Sequence, residues 1–426
     1  MAKSYTVVSG DTLGKISVSY YGVWKRWTDI VKANPQLEGR RAAVDGSPLI
    51  FPGDVLIIPD ETLPAQESVP KETIVFDENA PQDFSLVING KKFTGFTALT
   101  IKISVASMDA FSFMSKWNAD SRGLRDAFRP FVYSPCKLFF GGNVIFNGIV
   151  LPPVPQISPE YRTINVQGYP LCGVLIDSCL PPSLFPAEYN GLDLRQIAET
   201  VCEPFGVGVV IEGDVGEPFD KVDVGLDDKI WDFLSKLAGQ RGMAMTNKFD
   251  GRLLIYKPVI KEVSASFIQG EVPFISCVPE FDGQKMYSHI TGYTKTTAGA
   301  DSQKYTYENK LLTRKGVLRC YGKQIDDAVE GTLEQSVKAL AGRMFAGCVK
   351  WRLTVSGHRD KNGRLYRENM AVSVKAPGAE IYRETKFLVD EVTLKRDDQA
   401  GARTELLLVL PGSRDGTLPE VWPWEE

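Results

Sequence analysis

Few residues in this chain are of a type and spacing that could do chemistry, and those few can be weighed individually. There are two histidines, His289 and His358. Neither sits in H-E-x-x-H, H-x-x-E-H or a cysteine cluster, so the spacing points away from an ordinary zinc site. His358, in S-G-H-R-D, reads as a polar residue at a strand–turn junction. The seven cysteines (Cys136, Cys172, Cys179, Cys202, Cys277, Cys320 and Cys348) are odd in number and contain no C-x-x-C pair. They read as reduced, mostly buried thiols. No G-x-S-x-G elbow, Walker loop or G-x-G-x-x-G fingerprint occurs. The paired acids Asp227–Asp228 read as the start of a helix, where carboxylates suit the positive end. Asp397–Asp398 reads as a turn. No catalytic residue, metal or cofactor is expected.

Bulk composition narrows the classes further. Hydrophobic residues make up 43% and charged residues 24%, as in folded proteins with sizeable cores. At 426 residues the chain calls for two or more domains. A net charge of -4 is too small and of the wrong sign for a general nucleic-acid coat. No run of about 18 apolar residues suggests a membrane helix, and the opening residues lack the basic-then-apolar pattern of a secretory signal. These readings fit synthesis and folding in a bacterial cytoplasm, without membrane insertion.

The elements that would position any site follow from periodicity. Tyr5–Val8 is a short β run, Asp11 or Thr12 caps a helix carrying Leu13, Ile16 and Tyr20, and Gly22 closes it. A second helix presents Trp27, Ile30 and Val31, and Asn34-Pro35 stops it. Ile50-Phe51-Pro52-Gly53-Asp54 turns into the strand Val55–Ile58. The frame Y-T-V-x-S-G-D-T-L, an A-N-P helix end and F-P-G-D-x-L-x-I-P resembles the LysM family over residues 4–59, with a longer stretch than usual at Glu38–Leu49. The resemblance implies a βααβ fold and a glycan or docking groove formed by Gly10, Asp11, Thr12, Leu13, Phe51, Pro52 and Gly53. The same residues also suffice for two tight turns and a cap. Residues 61–81, with Pro64 and Pro70, read as a semi-extended linker.

Beyond the linker, alternating runs dominate. Phe84, Leu86 and Ile88 lead into Asn89-Gly90, a hairpin dipeptide. Leu99–Val105 alternates, Gly141-Gly142 joins Leu138–Phe140 to Val144–Phe146, and Arg162–Val166 adds a strand. A helical section follows, with Leu194, Ile197, Ala198 and Val201 on one face and Ile230, Phe233, Leu234 and Leu237 on another. Gly242 stops the second helix, and a hairpin turns at Asp250-Gly251. Thr332 and Gln335 suit a capping box for a helix bearing Leu333, Val337, Leu340, Ala341 and Met344. Four more alternating runs then follow: Trp351–Val355, Met370–Val374, Phe387–Leu394 and Glu405–Leu410. The last two suit a long hairpin around Lys395–Arg403. Trp422-Pro423-Trp424, past the last strand, is either a docking peptide or a flap over its own domain.

The fold class expected is multidomain and mainly β with α/β insertions: a LysM domain (1–60), a linker (61–81), and two small β-barrel-like domains (82–175 and 259–411). An α/β domain (176–258) lies between them, a helical insertion falls near 300–347, and a tail covers 412–426. This arrangement resembles the baseplate hub proteins of contractile phage tails, the late-control protein D group. The carriers are V-I-F-N-G-I-V (Val144–Val150), I-N-V-Q-G-Y (Ile164–Tyr169), L-I-D-S (Leu175–Ser178), K-I-W-D-F-L-S-K-L-A-G-Q-R-G (Lys229–Gly242) and D-G-R-L (Asp250–Leu253). Gly168-Tyr169 departs from the Gly-Arg common in that group, and fusion to LysM is a second departure. The resemblance implies a virion structural protein that forms a homotrimeric pseudo-sixfold ring between tail tube and central spike. Tube or tube-adaptor, spike, and wedge or sheath proteins (the last through LysM) would be its partners, with DNA only passing through the lumen. The alternatives are a peptidoglycan-binding protein and a tail-associated cell-wall hydrolase.

Overall fold

The computed structural model describes residues 3–21, 27–37, 40, 48–59, 73–75, 84–258, 262–294, 303–325, 333–397, 400–414, 419 and 421–425. Gly22, Thr332, Asp398, most of Glu38–Leu49 and most of the 61–81 linker lie outside them.

At the N-terminal end, β1 (Lys3–Thr6), α1 (Leu13–Tyr21), α2 (Trp27–Ala33) and β2 (Val55–Ile58) follow in the expected order, with Lys3 opposite Ile58 in an antiparallel pair. Leu13, Ile16, Ile30, Leu37, Leu56 and Ile58 close a small core of their own. The Asn-Pro stop has a physical cause. Buried Asn34 donates from its amide to the carbonyls of Ile30 and Ile57, both at 2.7 Å, and accepts from the Ile57 N–H at 2.7 Å. One side chain thereby ends α2 and stands in for a strand neighbour on the outer edge of β2.

The next strands are β3 (Thr73–Val75), β4 (Phe84–Ile88), β5 (Lys91–Thr94), β6 (Ala98–Ser104) and β7 (Ala110–Lys116). After α3 (Arg122–Ala127) come β8 (Pro135–Phe140), β9 (Asn143–Val150), β10 (Val154–Ile157) and β11 (Arg162–Pro170). Asn89 and Gly90 both have positive φ, +48° and +77°, as a tight hairpin turn requires.

An α/β section holds α4 (Val174–Asp177), α5 (Leu194–Cys202), β12 (Val209–Glu212), α6 (Ile230–Gln240), β13 (Ala244–Asn247) and β14 (Leu253–Tyr256). Asp193 and Gln196 form a reciprocal capping box at the start of α5. The Asp227–Asp228 reading needs correction. The Asp228 carboxylate accepts from the Gly225 N–H at 2.8 Å and closes the preceding turn, and α6 has no side-chain cap. Sequence periodicity located the helix; the turn took the carboxylate. The face Ile230, Phe233, Leu234 and Leu237 is buried against α5 and the sheet in a second core.

The last part comprises β15 (Val263–Ile268), β16 (Phe274–Phe281), β17 (His289–Thr294), β18 (Lys304–Glu308), α7 (Lys310–Thr313), β19 (Cys320–Ile325), α8 (Leu333–Cys348), β20 (Val349–Ser356), β21 (Ala371–Ala376), β22 (Ile381–Asp397) and β23 (Gly401–Val409). The segment expected to be a helical insertion carries more strand than its pattern announces: β18, β17 and β19 form a separate sheet under α8. Tyr305 and Tyr307 alternate over too few residues to register as a strand alone, and pairing with β17 fixes them. Close packing follows from Gly292, where a Cβ would stand 2.4 Å from a Val337 methyl.

Two strand series share one plan. In the first part the neighbours run β6-β7-β11-β9-β8-β4; in the last they run β16-β20-β23-β22-β21-β15. Strand by strand, both series use their members in the same chain order. The first four neighbour pairs are antiparallel in both. The fifth differs, since β4 is antiparallel to β8 while β15 is parallel to β21. The series meet at β6 and β22, which pair antiparallel from Ala98–Asp397 to Ser104–Glu391. One hydrophobic core, from Phe84 through Phe113, Trp351 and Leu408 to Trp422, runs through both.

Candidate functional site

Two kinds of surface stand out: the paired loops of the N-terminal domain, and the uncovered edges of the large sheet. In the N-terminal domain, the Val7 N–H donates to the Asp54 carbonyl at 2.8 Å and the Gly53 N–H donates to the Val7 carbonyl at 2.9 Å, which lays the two candidate loops side by side. The Asp11 carboxylate accepts from the Val8 N–H at 2.9 Å and the Tyr5 hydroxyl at 2.8 Å. Thr12 caps α1 by accepting from the Lys15 N–H at 3.1 Å. Leu13 is fully buried in the core. Gly10 and Gly53 hold φ of +91° and +94°, a region that side chains with a Cβ seldom enter. Thus Asp11, Thr12 and Leu13 have structural work inside the domain, while Gly10, Phe51, Pro52 and Gly53 present an outer surface. Phe51 and Val8 are both 57% exposed.

Sequence spacing gave no hint of Arg40. Its guanidinium meets the Asp54 carboxylate at 2.5 and 3.1 Å and lies 5.5 Å over the Phe51 ring. The Arg40 hydrogen bonds, with one from the Phe51 N–H, hold the Asp54 carboxyl below its usual range. The ion pair therefore ties the second loop in place.

In the first strand series the glycines of the two sequence motifs mark a close strand crossing. A Cβ on Gly148 would stand 2.0 Å from the Tyr169 carbonyl oxygen, and one on Gly168 would stand 2.3 Å from the Phe111 ring. Tyr169, where the resembled group often has arginine, packs against Gly173, whose added Cβ would come within 1.9 Å of the ring. Burial, then the neighbouring Asp177 carboxylate, pushes its hydroxyl up to about 12. It is a packing residue here.

The α/β section is clamped to the first strand series by a buried polar set. Asn247 donates to the Asp109 carboxylate at 3.0 Å and accepts from the Asp109 N–H at 2.8 Å. Thr246 donates to the carbonyls of Ser104 and Ser107, each at 2.8 Å. Burial, reinforced by nearby Glu368, pushes the Asp109 carboxyl well up. Such a shift can mark a catalytic acid, but Asp109 is enclosed and held by Asn247. His358 is also buried, hydrogen-bonded through Nδ1 to the Thr404 hydroxyl at 3.0 Å and edge-on to Phe84 and Phe140. Among the described residues no group of three or more His, Cys, Asp or Glu side chains could hold a metal ion. A groove of about 780 Å³ contains Arg359, Arg364 and Arg367. Each has a partner: Arg359 lies over Phe140, Arg364 pairs with Asp360 at 2.9 Å, and Arg367 lies over Phe249.

The seven cysteines are free thiols. The C-terminal tryptophans resolve into a flap over their own domain. Trp422 stacks on Phe345 and on Trp424, and Trp424 leans on Phe281 and Trp351.

Comparison with known proteins gives these surfaces a context. Residues 172–257 match the family model "Baseplate hub protein gp44-like, second domain", and residues 5–59 match the LysM domain. The chain is similar to the 43 kDa tail protein of prophage MuSo2 from Shewanella oneidensis, at 24% identity and a TM-score of 0.64 over 78% of this chain and 99% of that one. It is likewise similar to a tail protein of Neisseria meningitidis MC58, at 18% identity and a TM-score of 0.65 over 79% and 99% of the two chains. A third likeness is to prophage tail protein gp18 of Listeria monocytogenes EGD-e, at 11% identity and a TM-score of 0.50 over 76% and 94%. No curated protein matches the chain.

Residues 172–257 thus carry a gp44-like baseplate hub second domain and residues 5–59 a LysM domain, and over 78–79% of its length the chain has the fold of the Shewanella and Neisseria tail proteins.

Proposed function

We propose that this chain is the hub of a contractile, phage-like tail baseplate, three copies of which close a pseudo-sixfold ring between tail tube and central spike. The observation that carries this reading is the repeated strand plan: two six-strand series of equal order in one chain. Three such chains offer six near-equivalent positions to a sixfold tube, while the α/β and LysM parts keep threefold symmetry. A closed ring of this kind uses head-to-tail contacts, so each chain must carry two different complementary surfaces. Imaging of purified particles tests it. Three copies per ring, with both strand series facing the tube, is the expected result; six copies per ring would overturn it.

In this reading the work is done by interfaces and no reaction is catalysed. A turbidity assay on purified cell walls should show no clearing; clearing abolished by one Asp or Glu substitution would contradict it. The LysM surface of Gly10, Phe51, Pro52 and Gly53 serves as a dock for wedge or sheath proteins. A separate reading as a peptidoglycan grip draws on the exposed Phe51 and Val8 beside two tight turns. Binding of residues 1–60 to peptidoglycan, but to no tail protein, would favour the grip over the dock.

A further inference from the structure

A cavity of about 380 Å³ opens where α6, α8, β19 and Arg414 come together. Its lining holds four cationic side chains, Lys236, Lys323, Arg343 and Arg414, against the single carboxylate of Asp232. Like charges brought this close repel unless something answers them. Asp390, outside the lining, answers Arg414. Among the described residues, Arg343 and Lys323 meet no carboxylate. Arg343 does belong to a local clasp: its Nη1 donates to the Gly239 carbonyl at 2.8 Å, and the Ser336 hydroxyl donates to the Gln240 carbonyl at 3.2 Å. Side chains of α8 thereby satisfy carbonyls at the end of α6. The clasp uses one N–H of the guanidinium fork and leaves the others. The Arg343 side chain stays accessible through the cavity, yet protein crowds it enough that desolvation, then the Arg414 charge, lowers its pKa. Gln240 adds a second unmet group. It lines the cavity at 7% exposure, and its Oε1 has no hydrogen-bond partner among the described residues. Buried acceptors left in that state are rare and costly.

We propose that this cavity binds the phosphate monoester of a small organic molecule. The Arg343 fork suits two oxygens of one phosphoryl group, and the Lys323 ammonium adds charge beside it. A phosphoryl group fits better than a carboxylate because Gln240 Oε1 calls for a donor. A singly protonated phosphate offers one O–H while its other oxygens accept; an ionised carboxylate only accepts. Size and lining favour an ester over the bare ion. Met243, Ile325 and Leu340 also line the cavity, and its volume lies in the range of small-molecule sites. Since α6 belongs to the α/β section and α8 and β19 to the last part, the bound ester ties the two together where they meet. This site stands independently of the ring reading.

The test is isothermal titration calorimetry on the full chain at constant ionic strength, with glycerol 3-phosphate, AMP, inorganic phosphate and acetate as probes. At least one of the two esters should bind saturably and about tenfold more tightly than inorganic phosphate, with no binding of acetate. Arg343→Met and Lys323→Met should each weaken that ester about tenfold or more. Lys323 takes no part in the clasp on α6, so its variant keeps the test open if loss of Arg343 disturbs folding. Hydrogen exchange in α6 and α8 should slow together on addition of the ester. Absence of saturable ester binding, acetate or inorganic phosphate bound as tightly as the ester, or undiminished affinity in Lys323→Met would each overturn the site.

Discussion

The two strand series differ most at the edge they have in common. In the last series β22 runs unbroken for 17 residues, and its second half is covered by β6. In the first series the same path breaks at Leu151-Pro152-Pro153 between β9 and β10, and among the described residues no strand covers the outer edge of β10. Proline supplies no backbone donor and fixes φ, so two in succession interrupt a ladder that β22 continues through a bulge at Val389–Glu391. One topology therefore yields a covered edge and an open one. Covering fuses the two series into one core; openness leaves Val154 and Ile157 of β10 in solvent.

The largest expected effect addresses that fusion. Trp351 is fully buried, donates from its indole nitrogen to the Ala379 carbonyl at 2.9 Å, and packs on Phe387 and Phe281. Trp351→Ala should cost about 3–5 kcal/mol in urea unfolding, with the two strand series still unfolding in one transition. Two separate transitions would mean that the series are independent and the covered edge fuses nothing. Next in size is a direct contrast between the two edges. Ile101, buried opposite Leu394 on the covered edge, should lose roughly 2–4 kcal/mol on replacement by alanine. Val154→Ala on the open edge should change monomer stability by no more than about 0.5 kcal/mol. Equal losses would erase the distinction.

A smaller effect separates the LysM domain from both series, because its core shares no residue with theirs. Gly10→Ala forces a Cβ into a φ of +91° and should cost about 1–2 kcal/mol. The loss should show in hydrogen exchange of residues 3–21 and leave the large sheet unchanged. A salt-dependent effect lies where β22 meets β6, with Lys102 2.7 Å from Glu391 and the lysine half exposed. Lys102→Met should lower stability by roughly 0.2–1 kcal/mol at low salt, and the difference should fade as salt rises. A loss that persists at high salt would make this pair part of the core that joins the two series.

Much of this molecule was legible before any coordinates. Asn89-Gly90 announced a hairpin because few other pairs tolerate two positive φ values. The face Leu194, Ile197, Ala198 and Val201 announced a helix because its spacing matches 3.6 residues per turn. The turn residues of the LysM loops were equally plain, since local backbone geometry alone selects them. What could not be read were facts set by distant partners. Arg40 reaches Asp54 across 14 residues, and Asp109 and Asn247 meet across 138. The Asp228 carboxylate chose a turn over a helix end. The fate of Trp422 and Trp424 depended on whether Phe345, Phe281 and Trp351 would stand beneath them. Local sequence determined the strands, turns and helix faces of this protein, because those follow from periodicity and allowed φ. Only the tertiary structure decided which strand edges are covered and which stay open, because edge pairing joins residues hundreds of positions apart and leaves no periodic trace in either one.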